Sequence, residues 1–278
     1  MDIPYTLSLL GSRIKLLEVL ALIDGVKPAG RILCPEGKLR DTLAFLDGQG
    51  MAVEESPFKV LKDPSQGAYA DRSFRAGRYD SRNGHVCLYV SKDSGRATEA
   101  RDSEDRRDHR GFGLALGYPE CCCAFFEEHF SASNTDLTLD TLEHSEGHVF
   151  PCYSTVAARH FDASLLSHFP CSFRCAESVA LAQKHLNVLE KHAPEIAAAF
   201  MPLLRTGVVY ARGDGPILLK GHRQEGSLIS FDEAVAGRAT KLYYLLSREK
   251  QLRVEGKNRI VVGGEVIEGK DRGVMVFQ

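Results

Sequence analysis

Two short cysteine segments constrain this chain more than any other feature. The first runs Leu116-Gly117-Tyr118-Pro119-Glu120-Cys121-Cys122-Cys123-Ala124-Phe125-Phe126. The second runs His168-Phe169-Pro170-Cys171-Ser172-Phe173-Arg174-Cys175-Ala176-Glu177-Ser178. In both, proline stands just before cysteine and an amphipathic helical pattern begins just after. Proline suits a helix start, where its missing N–H is not needed. The pattern therefore predicts thiols in the first turn of two helices. Unsatisfied N–H groups and the helix dipole favour thiolate there, the form that binds metal or attacks an electrophile. Cys123 and Cys171 are 48 residues apart in sequence. No short zinc-finger loop spans that distance, so any shared site must be assembled by tertiary folding.

Spacing narrows the chemistry. On a helix, Cys171 and Cys175 would share a face with Cβ atoms about 5–6 Å apart. A disulfide wants about 3.5–4.5 Å, whereas a metal ion or cluster bridges the wider gap. Sulfurs on tetrahedral zinc stand roughly 3.8 Å apart. An iron–sulfur cube takes each thiolate on a different iron, and the helical spacing leans that way. Successive helical side chains diverge by about 100°, so Cys121, Cys122 and Cys123 cannot all face one site. One or both of Cys121 and Cys122 complete the set begun by Cys171 and Cys175. Cys123, Cys34 and Cys87 read as packing residues, since buried cysteine behaves as a small hydrophobe. Cys152 follows Pro151 and reads as core or cap. His168 is placed to be a ligand, an acid–base group or a helix cap. Glu177 suits the helix dipole without any further role, and Arg174 is a solvent-facing cation.

The two segments resemble an uncharacterised prokaryotic domain-of-unknown-function family. Its pattern joins Leu-Gly-Tyr-Pro-x-Cys-Cys to Ser-His-x-Pro-Cys-Ser-x-x-Cys, here Leu116–Cys122 and Ser167–Cys175. The resemblance covers roughly residues 110–190 and implies a ligand set of Cys121, Cys122, Cys171 and Cys175. It brings no settled activity with it.

Composition sets the frame. The 278 residues are 44% hydrophobic and 26% charged, which suits a folded globular chain and excludes a disordered one. A net charge of −2 gives no bulk field for nucleic acid. The basic loop of Arg72, Arg75, Arg78 and Arg82 reads as solvated, so nucleic-acid binding is not expected. No apolar run reaches membrane-span length, so no membrane partner is expected. The start Met1-Asp2-Ile3-Pro4 is acidic where a secretory signal is basic. That predicts a cytoplasmic, reducing compartment, where clustered cysteine binds metal or reacts rather than cross-links.

Periodicity predicts a helix over residues 5–24, ended by Gly25, a strand at 31–34 and a helix at 38–46. Strands follow at 58–61 and 85–90, with a turn-rich stretch at 63–84 between them. The charged run 101–108 reads as a solvated helix or linker. Gly111-x-Gly113 is too short for a dinucleotide fingerprint. A strong amphipathic helix is expected over 175–199, broken or kinked at Pro194. The last third reads as hairpin strands around a helix at 231–246. The expected organisation is an α/β part (1–110), a helical cysteine-rich part (111–203) and a β-rich part (204–278), in an α+β fold.

The leading functional expectation is a metal-dependent enzyme acting on a small-molecule substrate. It would carry an iron–sulfur cluster, of the 4Fe–4S kind, on Cys121, Cys122, Cys171 and Cys175. His168 would be the nearby acid–base group. Were only three thiolates bound, the open position would admit a substrate or sulfide. A structural zinc site in a binding or regulatory protein is the alternative. A metal-free thiol enzyme with Cys171 as nucleophile is the third.

Overall fold

The first apolar stretch folds as two helices. In the computed structural model, which describes residues 1–62 and 73–278, α1 (Ile3–Leu10) stops at Gly11. That glycine takes a φ of +67°, and the Ser12 side chain caps α2 (Arg13–Ile23). Turn chemistry at Gly11-Ser12 overrides the continuous apolar period that predicted one helix. There follow β1 (Gly30–Pro35), α3 (Leu39–Gly48), β2 (Ala52–Lys62), β3 (Ser73–Gly77), β4 (His85–Ser91), α4 (Ser94–Asp105), α5 (His109–Ala115) and α6 (Glu120–His129). Residues 63–72 of the expected turn-rich stretch, Arg72 among them, lie outside the described residues. The chain forms two compact units, Met1–Asp136 with Lys184–Ala193, and Leu137–Gln183 with Pro194–Gln278.

The first unit is built on an antiparallel sheet of order β1-β4-β2-β3. Its strand β4 is buried on both faces, because side chains alternate and helices cover each side. Cys87 and Tyr89 pack with Ala100 of α4 and with Leu116. Val86, Leu88 and Val90 take the other face, all fully buried. Cys34 sits opposite Val86 in register, and its thiol reaches Thr42 of α3. Cys34 and Cys87 are thus core residues on opposite faces of one sheet. The charged run is not merely solvated. Ala97, Ala100 and Ser103 of α4 are buried, and Glu104 takes both Arg31 and the Tyr89 hydroxyl. The basic arginines of β3 and the β3–β4 connection are ion-paired: Arg75 with Glu104, Arg78 with Glu55, and Arg82 with Asp80.

The second unit contains α7 (Thr138–Glu143), β5 (Val149–Phe150) and the start of α8 (Ala176–His192). Pro194 opens a separate helix, α9 (Pro194–Leu204), rather than kinking α8. Next come β6 (Gly207–Ala211), β7 (Gly215–Lys220), β8 (Arg223–Glu225), β9 (Leu228–Ser230), β10 (Glu233–Ala236), α10 (Lys241–Glu249), β11 (Gln251–Gly256), β12 (Arg259–Val262), β13 (Glu265–Glu268) and β14 (Arg272–Phe277). They form two five-stranded sheets, β10-β7-β6-β14-β5 and β13-β12-β11-β9-β8. Val209, Leu219, Val274 and Val276 of the first share one core with Ile229, Leu252 and Ile260 of the second, and α10 adds Leu245 and Leu246. The helix expected from residue 231 begins only at Lys241. Residues 233–236 instead pair with β7, where Ala234 lies opposite Leu219. Helices and separate sheets, antiparallel except for the short parallel β14–β5 pair, make this an α+β fold. Among the described residues, no helix is long and apolar enough to cross a membrane.

Candidate metal centre

The first thiol pair is set by the corner before α6. Gly117 has a φ of +79°, and a Cβ there would stand 2.5 Å from Pro28 Cδ. Only glycine lets the chain turn this close to that proline. Tyr118 lies over the ammonium of Lys27, 4.8 Å from the ring centre. Lys27 is itself buried and ion-paired to buried Glu18. Burial works against its charge, but Glu18 and Tyr118 outweigh that and hold its pKa above the ordinary lysine value. Pro119 then precedes α6 in extended conformation, and its carbonyl accepts the N–H groups of Cys122 and Cys123. Cys121 and Cys122 are the second and third residues of the helix, as the Pro-then-Cys pattern predicts. Their sulfurs are 3.8 Å apart. Cys122 is 1% exposed and Cys121 is solvent-exposed.

Cys123 turns away from this pair. Its thiol points to the Tyr118 carbonyl at 3.7 Å and packs on Gly113 of α5, where a Cβ would come within 2.6 Å of the sulfur. Burial, then the neighbouring Cys121, pushes the Cys123 thiol up to about 11. It is a packing residue, and Gly113 is the small partner that admits it.

The second pair is held differently from the sequence expectation. Cys171 is not helical. Residues 171–174 form a turn, and Cys175 caps α8: its carbonyl accepts the N–H of Val179, the first bond of the helix. The turn closes through Cys175 N–H to the Ser172 carbonyl at 2.9 Å, and Arg174 N–H reaches Ser172 Oγ at 3.2 Å. Thr141 donates to the Pro170 carbonyl, and Ser145 Oγ accepts the Phe173 N–H. Phe173, fully buried, packs its ring between Phe150, tilted against it, and Phe277, edge-on to it, with centres 5.0 and 5.3 Å away. Arg174 donates to the Val149 carbonyl. The helical i,i+4 geometry therefore does not apply to Cys171 and Cys175. A serine-braced turn positions them instead, because Ser172 and Ser145 satisfy N–H groups that a helix would otherwise use. Ser145, Thr141 and the buried Phe173 ring are functional supports that the cysteine pattern alone does not reveal. Ser172 carries a signal, as a hydroxyl side chain two residues before a backbone N–H it can accept.

The sulfurs of Cys121, Cys122, Cys171 and Cys175 all lie within 4.8 Å of one another, a group able to hold a metal ion. None of the eight cysteines, all among the described residues, forms a disulfide. Cys152 is 2% exposed in a short 3-10 turn and lies outside the group, as do Cys34 and Cys87. His168 is half-buried, with Nε2 2.9 Å from Ser178 Oγ in the first turn of α8. The donor set is four soft sulfur atoms.

An open cleft of about 510 Å³ adjoins the cysteine turn, lined by Glu143, His144, Ser145, Glu146, His148 and Lys257. Ser145 lines the cleft and hydrogen-bonds to the turn. Burial holds the His148 pKa below the ordinary imidazole value, and the Gln224 amide meets its Nε2 at 3.0 Å. The Lys257 ammonium is spent on the Leu142 and Glu143 carbonyls at the end of α7. Compared with family models, curated proteins and solved structures, the chain matches none.

Proposed function

We propose that Cys121, Cys122, Cys171 and Cys175 bind metal as thiolates, in an enzyme acting on a small molecule in a reducing compartment. The mutual sulfur distance of at most 4.8 Å carries this reading. Four thiolates on one ion stand roughly 3.8 Å apart, and the Cys121–Cys122 distance already equals that edge. Four thiolates on the separate irons of a cube must stand farther out. The spacing therefore supports a single tetrahedral ion, zinc or iron. The iron–sulfur cluster is the second reading, favoured by one observation. The donor set is four cysteine thiols, the set that holds such clusters. The small-molecule part rests on the open cleft beside the cysteine turn, where Ser145 lines the cleft and also accepts the Phe173 N–H. His168 serves as a positioning residue in this reading, tying the segment before Pro170 to the first turn of α8.

Anaerobic purification followed by zinc, iron and acid-labile sulfide analysis tests the proposal. One zinc or iron per chain without sulfide supports the single ion. Iron with matching sulfide supports the cluster. A metal-free chain that takes up neither on reconstitution overturns both.

A further inference from the structure

The four thiols differ in access. Cys122 is 1% exposed, Cys171 and Cys175 are half-buried, and Cys121 is exposed. Resting on the metal centre proposed above, we infer that Cys121 is its exchangeable ligand and that a small thiol takes its place on the metal. Ligand exchange needs a path for the incoming donor and room for the departing one, and Cys121 has both. Its helix neighbour Glu120 is also exposed, held by Arg110 at 2.6 Å. Cys122 has neither path nor room. The second pair is braced by Ser145, Ser172 and the buried Phe173, so those sulfurs cannot swing away without breaking the turn.

The incoming ligand is chosen by the metal. With three thiolates retained, zinc or iron stays in a soft environment that favours another sulfur donor over a hard oxygen. The exchange balances without an oxidant. The metal–sulfur bond to Cys121 breaks and a bond to the thiol sulfur forms. The proton lost by the incoming thiol goes to Cys121. The bound thiol is thereby held as its thiolate, the nucleophilic form. A tetrathiolate site closed on all sides is the arrangement of structural zinc, and the exposure of one corner separates this site from it.

The full chain loaded with cobalt(II), a tetrahedral reporter, tests this through its sulfur-to-cobalt charge-transfer absorption. The unmutated chain should give the intense spectrum of four thiolates. Cys121→Ala should retain cobalt with a weakened band, and ethanethiol should restore the wild-type intensity. Cys122→Ala should lose cobalt, or keep a weakened band that ethanethiol does not restore. Equal behaviour of the two variants overturns the inference. A wild-type chain that binds no cobalt overturns the metal centre itself, a distinct result. Because either alanine also changes α6, a second measurement uses the unmutated protein. Iodoacetamide on the metal-loaded chain should modify Cys121 first, read by peptide mass. Modification of the four thiols at one rate, or of another thiol first, contradicts the assignment.

Discussion

At the scale of single residues, the contact between Gly113 and Cys123 is sharply constrained. A Cβ at position 113 would meet the Cys123 sulfur at 2.6 Å and its Cβ at 3.5 Å. The Cys123 Cβ is fixed by the helix backbone, and the sulfur can retreat only by rotating about Cα–Cβ away from the Tyr118 carbonyl. Gly113→Ala should therefore cost about 1–3 kcal/mol by overpacking, measured as a shift in the urea midpoint. Cys123→Ala in the same chain removes the sulfur and should recover most of that loss, so the double-mutant cycle should show strong coupling. Additive effects would mean that the two residues do not press on each other. The sequence marks Cys123 as a packing residue because three consecutive helical side chains cannot face one point. It does not show what Cys123 packs on, because the glycine stands ten residues earlier on another helix. Likewise, Cys121, Cys122, Cys171 and Cys175 are legible as a set from their segments. The exposure of Cys121 against the burial of Cys122 is not, since adjacent residues in one helical turn look alike until the surrounding elements are placed.

At the scale of elements, the local grammar misleads where hydroxyl side chains compete with the helix. Pro170 and the apolar period after it predict a helix containing Cys171, yet the helix starts at Ala176. Ser145 and Ser172 accept N–H groups of residues 173 and 174, and the turn this stabilises pushes the helix start onward. Phe173 then locks the turn from below. Phe173→Ala should cost about 3–5 kcal/mol, with metal retention falling alongside stability, whereas Phe173→Leu should keep much of both. A chain that loses the ring yet binds metal with unchanged affinity would show that the turn is held by its hydrogen bonds alone. A related override occurs at β10. Residues 233–236 carry a helical pattern, but pairing with the buried strand β7 decides their conformation, as tertiary context does in sheets. The strands at 85–90, 260–262 and 274–276 are legible beforehand because their β-branched and apolar runs are what the sheets bury, β4 and β14 almost throughout and β12 on alternate residues.

At the scale of the whole molecule, some ties lie beyond any local pattern. Lys191 and His192 are 167 and 168 residues from Asp24 in sequence, yet both hydrogen-bond its carboxylate, at 2.9 and 2.8 Å. Asp24 caps the C-terminal end of α2, where the helix dipole disfavours a negative charge. Burial also works against the carboxylate, but the Lys191 and His192 hydrogen bonds and charges prevail and lower its pKa below the ordinary 3.8. A carboxylate whose folded pKa is depressed contributes stability above its unfolded pKa. That contribution is lost as pH falls through the folded value. Lys191 is 63% exposed, so solvent screens the pair and its contribution is about 1 kcal/mol or less. Asp24→Asn should therefore lower unfolding stability modestly at neutral pH. The gap between the two proteins should narrow steadily once the pH drops below about 4, where the wild-type carboxylate also becomes neutral. Urea unfolding across that range measures it directly. A gap that persists unchanged into strong acid would place the effect of Asp24 in packing rather than in charge, and the tie across the chain would then be steric.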